Sequence, residues 1–178
     1  MLRTLIALTV CGLCASSQSP VSLDPGLANI VQVAVVAKDT KDIEGSARRW
    51  AAILGMEMPK ITTTRPGHEV KVVYKGKAST GQAKLAFFKL GQVVLELIEP
   101  VGKDTSWRLY LDQHGEGVQH LGFQVRNLDQ AIANAQQAGM PVLHRGRYDK
   151  DNGDYVYVDS EKALGVTIEL LHSDPPRK

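Results

Sequence analysis

Ile30-Val-Gln-Val-Ala-Val-Val-Ala37 and Val118-Gln-His-Leu-Gly-Phe-Gln-Val125 are two apolar, β-branched runs that read as buried strands. Each opens the same series of signals. After the first, Ile43, Ala47, Trp50, Ala51 and Leu54 fall on one face of a helix over about 42–54, and Gly55 supplies its stop. After the second, Asn127 is a helix cap, Leu128, Ile132, Ala135 and Ala138 form one helical face, and Gly139 ends it. Met56 follows Gly55 as Met140 follows Gly139. Alignment of the halves places Gln32 opposite His120 and Lys38-Asp39 opposite Arg126-Asn127.

Further strands are expected at about 57–64, 69–75, 83–89 and 92–98 in the first half, and at 141–144, 154–158 and 165–171 in the second. The last strands match residue for residue in character, Val94-Leu-Glu-Leu-Ile98 against Thr167-Ile-Glu-Leu-Leu171, so Glu96 stands opposite Glu169. A linker helix is expected over Thr105–Gln113. A strand–helix–strands order repeated once predicts an α+β fold of two similar modules, 30–100 and 117–172, within one unit over 30–172.

The length of 178 residues and the 43% hydrophobic, 22% charged composition are ordinary for a globular chain. A formal charge of +2 gives no reason to expect a nucleic-acid partner. Met1-Leu-Arg3, the apolar stretch Leu5–Leu13 and the small residues Ala15-Ser-Ser17 read as a signal peptide over 1–17, and so as export to a periplasmic or extracellular space. The apolar stretch is too short to make a stable membrane span. Both cysteines, Cys11 and Cys14, lie inside this leader, so the mature chain has no thiol chemistry. Residues 18–29 read as a tether and 173–178 as a tail.

Four polar residues interrupt the apolar strands: Gln32, Glu96, His120 and Glu169. A carboxylate on an inner sheet face is costly unless it is paired or bound to a metal. Two carboxylates at equivalent points of a repeat, with an imidazole and an amide, make a metal cage for divalent zinc, nickel, cobalt, manganese or iron. The pattern alone is also met by solvent-facing strand glutamates and a satisfied core histidine. Glu69 sits on a loop that could close over such a site or simply be solvated. His144, Arg145 and Arg147 border a polar loop, 144–154, that reads as a solvated turn or as a contact for an anion. His114 and His172 have no partner visible in the sequence, and Trp50 and Trp107 read as packing residues.

The paired β-α-β-β-β modules resemble the vicinal oxygen chelate superfamily, which includes glyoxalase I, methylmalonyl-CoA epimerase, extradiol dioxygenases and fosfomycin and bleomycin resistance proteins. The resemblance is carried by Val31–Asp39, Leu95–Pro100, Gly117–Val125, Val158-Asp-Ser160 and Gly165–Leu170. It implies two βαβββ modules forming a concave mixed sheet, with metal ligands at Gln32, Glu96, His120 and Glu169. A Gln/Glu/His/Glu set is similar to that of a zinc-type glyoxalase I; Gln32 stands where epimerases usually carry histidine and argues against an extradiol dioxygenase. The implied activity is an isomerase, epimerase or lyase that removes a proton next to a carbonyl of a small substrate with vicinal oxygens. Glu169 is then the base, with Glu96 as its counterpart on the opposite face. The alternative is a non-catalytic protein that sequesters a small molecule; a 6% aromatic content argues for the enzyme, because sequestering pockets stack their guests. Module pairing within one chain or across a homodimer is left open by the sequence.

Overall fold

The structure, a computed structural model, describes residues 27–37 and 43–176. The expected leader, most of the tether and the last two residues lie outside the described residues. So do Lys38, Asp39 and Asp42. Fourteen elements follow in order: β1 Leu27–Val36, α1 Ile43–Leu54, β2 Thr62–Thr63, β3 Val73–Tyr74, β4 Lys77–Ala78, β5 Gln82–Leu90, β6 Val93–Val101, α2 Ser106–His114, β7 Gly117–Val125, α3 Leu128–Gln137, β8 Val142–Arg147, β9 Gly153–Val158, α4 Glu161–Leu164 and β10 Thr167–Ser173. No described helix is long and apolar enough to cross a membrane.

The strands form one curled mixed sheet in the order β2-β5-β6-β1-β7-β10-β9-β8-β3-β4. At its centre β1 and β7 run antiparallel, with Ala34 paired to His120 and Gln32 to Gly122. Each has a parallel partner from its own module: Ala34 faces Glu96 on β6, and Gly122 faces Glu169 on β10. The two modules are thus related by a local two-fold axis between β1 and β7. They pair within one chain, through β1 and β7.

Three apolar clusters hold this sheet. On its outer side, Ile43, Ala47 and Ala51 of α1 pack on Ala86, Phe88, Leu95 and Leu97. The equivalent helix α3 lays Ala131, Leu128, Ile132 and Ala135 on Val125, Val156, Val158 and Leu170. Ala138, expected on that face, is instead the exposed C-cap, one turn beyond the sheet. The linker helix α2 sits on the concave side, where Trp107 and Leu111 pack on Val36, Ala83, Ile98 and Tyr157. Thr105 caps it, its side chain accepting a hydrogen bond from Arg108 N at 3.1 Å. Asn127 caps α3 in the same way, accepting from Gln130 N at 3.0 Å. These alternating faces leave even-numbered residues of β1, β6 and β7 pointing into the trough.

Several expectations need correction. Residues 27–29 belong to β1 rather than to a tether, because β7 is long enough to pair with them out to Val125. Ser173 likewise extends β10, paired to Gly153. The strand expected at 57–64 shrinks to Thr62–Thr63. The strand expected at 69–75 is mostly a turn, in which Val70 N and Val72 N both donate to Gly67 O. Only glycine fits at 67, since an added Cβ would stand 2.5 Å from the Ser79 carbonyl oxygen. That turn carries the chain across the mouth of the trough. The short β3–β4 hairpin then joins the second module, with Val73 paired to Arg145 and Tyr74 to His144. Both ends of the ten-stranded sheet therefore come from the first module.

Candidate functional site

Gln32, Glu96, His120 and Glu169 meet on the concave face. Gln32 Nε2 lies 2.7 Å from Glu96 Oε2, 3.2 Å from Glu169 Oε2 and 3.2 Å from His120 Nε2. His120 Nε2 lies 3.3 Å from the same Glu96 oxygen and 3.2 Å from that of Glu169. Glu96 is 5% exposed, Glu169 3% and His120 0%. Strand geometry puts them there: the three central strands β6, β1 and β7, with β10, bring the first and last strand of each module side by side.

The four heads suit a divalent ion. Oxygen and nitrogen ligands about 2.1 Å from an ion in octahedral array lie about 3 Å from their neighbours, which is the spacing seen around Gln32 and His120. Two buried carboxylates also call for a compensating positive charge. His120 Nδ1 lies 2.6 Å from Gln119 Oε1, an acceptor, so Nδ1 carries the hydrogen and Nε2 turns its lone pair to the centre. A half-turn of the Gln32 amide brings its oxygen to the centre in place of its nitrogen.

Without an ion, a proton on His120 takes over part of that compensation. Burial opposes the imidazolium, but the charges and hydrogen bonds of Glu169 and Glu96 outweigh it and bring His120 up to about 9. Burial pushes the Glu96 carboxyl above the usual carboxylate range, with the Glu169 charge adding to it against the opposing pull of His120 and Gln32. Both shifts are upward, so each contributes stability at low pH that is lost as pH rises. For His120 the contribution is complete below its unfolded value of 6.5 and gone above about 9. Metal-free protein is therefore expected to lose about 3 kcal/mol between pH 6.5 and 9.5 on this account. Denaturant midpoints measured in chelator across that range test it. A bound ion displaces the proton, so the loaded protein is expected to show a much shallower slope.

The sheet's register distinguishes the two glutamates. Phe87 on β5 stands opposite Glu96, and Tyr157 on β9 stands opposite Glu169. These are equivalent places in the two modules, but only one carries a hydroxyl. Tyr157 is 2% exposed, its phenol hydrogen-bonds Glu169, and burial holds the phenol well above its ordinary value. Its ring lies 5.0 Å from that of His120 and stacks at 5.3 Å on that of His144. The sequence reading missed Tyr157, Gln119 and Gly122. Gln119 and Tyr157 hold His120 and Glu169 from behind; behind a metal ligand such an outer partner is worth about 10–100-fold in metal affinity. Tyr157→Phe is expected to weaken zinc binding by that factor without unfolding the protein, read by competition with a chromophoric chelator.

A cavity of about 500 Å³ opens from the cluster and is lined by Gln32, Glu96, Glu169, Trp107, Tyr155 and Tyr157 among others. His144, expected on a solvated turn, is fully buried on β8, with Nδ1 2.9 Å from Ser106 Oγ. Burial, and then the nearby His120 charge, lower it to about 3, so it is a neutral imidazole. Arg145 is exposed. Arg147 is tied to Asp151 at 2.6 Å, Asp154 at 2.9 Å and Asp174, so it is no open anion contact. Asp154, His172 and Asp174 bring ligand atoms within 4.8 Å of one another, but that same guanidinium already supplies their positive charge. Glu69 is held by Arg65 at 3.1 Å in solvent. His114 pairs with Glu161 at 2.7 Å.

The sequence profile of the Glyoxalase/Bleomycin resistance protein/Dioxygenase superfamily matches residues 31–158, and the chain belongs to that superfamily. Among curated proteins it resembles the uncharacterized protein YqjC of Bacillus subtilis, 29% identical over 90 residues. That match covers 50% of this chain and 64% of the relative, so the chain spans under two thirds of it. Among solved structures it resembles the methylmalonyl-CoA epimerase of Mycobacterium tuberculosis, with a TM-score of 0.58 and 17% identity over 89% of this chain and 95% of that one. A Streptomyces coelicolor methylmalonyl-CoA epimerase variant in complex with 2-nitronate-propionyl-CoA gives 0.58 and 21% over 84% and 99%. A hypothetical protein of Bacillus halodurans gives 0.57 and 15% over 84% and 97%. Identities this low speak for the fold alone.

Proposed function

We propose that this chain is a metal-dependent isomerase, epimerase or lyase that moves a proton next to a carbonyl, with Gln32, Glu96, His120 and Glu169 as the ligands of one divalent ion. The observation that carries the reading is the convergence of two buried carboxylates on a single imidazole at 3.2 and 3.3 Å inside a cavity. Bound there, the ion supplies Lewis acidity to two adjacent oxygens of a substrate. Glu169 takes the proton from the carbon beside the carbonyl; the C–H electron pair moves into the carbonyl group, and the proton returns to the same or the opposite face. Glu96, across the local two-fold, serves the other face. Tyr157 holds the Glu169 carboxylate in one orientation, and the α2 plug with Trp107 keeps that end of the trough dry.

The leader read over residues 1–17 supports a further part of the proposal, export from the cytoplasm. The test of function is metal content of the purified full chain, followed by solvent-deuterium incorporation into small 2-oxo and 2-hydroxy acids. About one equivalent of zinc, nickel, cobalt, manganese or iron with exchange at the carbon beside the carbonyl supports the enzyme. Metal without exchange on any such acid favours the sequestering alternative, and absence of metal after reconstitution sinks the cage.

A further inference from the structure

The chain has few aromatic residues, 3 Phe, 2 Trp and 5 Tyr, yet five of these ten line the one cavity that holds the cage: Phe87, Trp107, Tyr148, Tyr155 and Tyr157. Low aromatic content was the ground for expecting no stacking surface; the fold gathers the aromatics into one. Trp107, Tyr155 and Tyr157 form a continuous wall, with ring centroids 6.3 Å apart for Trp107 and Tyr155, 5.9 Å for Trp107 and Tyr157, and 5.7 Å for Tyr155 and Tyr157. Trp107 and Tyr157 are its buried backing, and Tyr155 with Tyr148, stacked at 6.4 Å, are the half-buried rings that line the cavity.

The two arginines of the lining are engaged: the Arg65 guanidinium donates to Glu69 and to the Asp149 backbone carbonyl, while its backbone N–H donates to the Asp149 carboxylate, and Arg147 pairs with Asp151, Asp154 and Asp174. Four carboxylates thus answer the two guanidinium groups, and Lys150 is the third cation of the lining. A cavity of about 500 Å³ is the size of a pocket for one compact small molecule.

Resting on the proposed metal site, we propose that the substrate is a compact chelating molecule with a flat aromatic tail, its two oxygens at the cage and its ring against Tyr148 and Tyr155, and that a coenzyme A thioester is excluded. An aromatic pair in offset or edge-to-face contact adds affinity beyond the area it buries, which sets the expected preference.

The probes are benzohydroxamate, which joins an O,O chelator to a phenyl ring, acetohydroxamate, which lacks the ring, and coenzyme A. Calorimetric titration of zinc-loaded full-length protein is expected to show benzohydroxamate at least about tenfold tighter than acetohydroxamate, with coenzyme A not binding. The preference is expected to vanish in Tyr148→Leu and in Tyr155→Leu while acetohydroxamate affinity stays. Equal affinities, a preference that survives both substitutions, or tight coenzyme A binding overturns the inference. Failure of the metal reading looks different, because zinc is then not retained and neither hydroxamate binds. In that case saturation-transfer NMR with benzamide and acetamide still decides the aromatic wall. Transfer to the benzamide ring, lost in Tyr155→Leu, sustains it, and no transfer overturns it.

Discussion

On the proposed function, His120→Ala is expected to abolish metal binding and Glu169→Gln to stop proton exchange. In His120→Ala the nitrogen between the two carboxylates is gone, leaving Glu96 and Glu169 buried with neither an imidazolium nor a nitrogen ligand. Removal of one partner from a buried charged cluster is far costlier than the cluster's net worth, because the remaining charges stay desolvated. Metal content is expected to fall from about one equivalent to a small fraction of it. Glu169→Gln keeps the shape and loses the charge and the basicity. Loss of a general base costs about 10²–10⁴-fold in rate, so deuterium incorporation is expected to fall by that much. Metal affinity falls as well, and saturating zinc separates the two effects. Exchange restored by zinc in Glu169→Gln would show that Glu169 is a ligand and not the base, and full metal content in His120→Ala would refute the site.

Gly122→Ala will damage the same centre without touching a ligand's chemistry. An added Cβ would stand 2.8 Å from Gln32 Cβ, 3.0 Å from Leu171 Cδ1 and 3.2 Å from Glu169 Oε2. The first contact is to an atom fixed to the backbone of β1, so the central β1–β7 pair has to shift. Overpacking of this kind costs about 1–3 kcal/mol, and displacement of two ligands at once is expected to weaken zinc binding by about 10–100-fold. Denaturant midpoints and chelator competition measure the two losses. The position equivalent to Gly122 is Ala34, opposite Glu96, and it carries a Cβ already. The asymmetry follows from what leans across: Gln32 and Glu169 both crowd over Gly122. Unchanged stability and unchanged zinc affinity in Gly122→Ala would remove glycine from the account of the site.

Gly122 also marks where the sequence was readable and unread. A glycine inside a strand signals a close approach, and Val118–Val125 has one. What approaches is set by β1 and β10, which lie 90 residues before it and 47 after it at Gln32 and Glu169, so the partner cannot be named from local pattern. Tyr157 is similar. Its alternation with Val156 and Val158 marks a strand, but its place opposite Glu169 depends on the β9–β10 register. His144 was misplaced because Arg145, Arg147 and the acids beyond it make the segment look solvated, while β8 turns His144 inward and Arg145 out.

The repeat, the two module helices with their glycine stops, the linker helix and the four polar interruptions were determined by the sequence itself. They rest on short-range physics: side-chain period, capping and the cost of a charge in an apolar strand. Tertiary structure alone decided that the modules pair within one chain, that β3–β4 crosses to the second module, and that five scattered aromatics and the buried His144 gather beside the cage. Those outcomes depend on strand register and on how far the sheet curls. Both are settled by contacts between residues tens of positions apart, whose energies no local window of sequence contains.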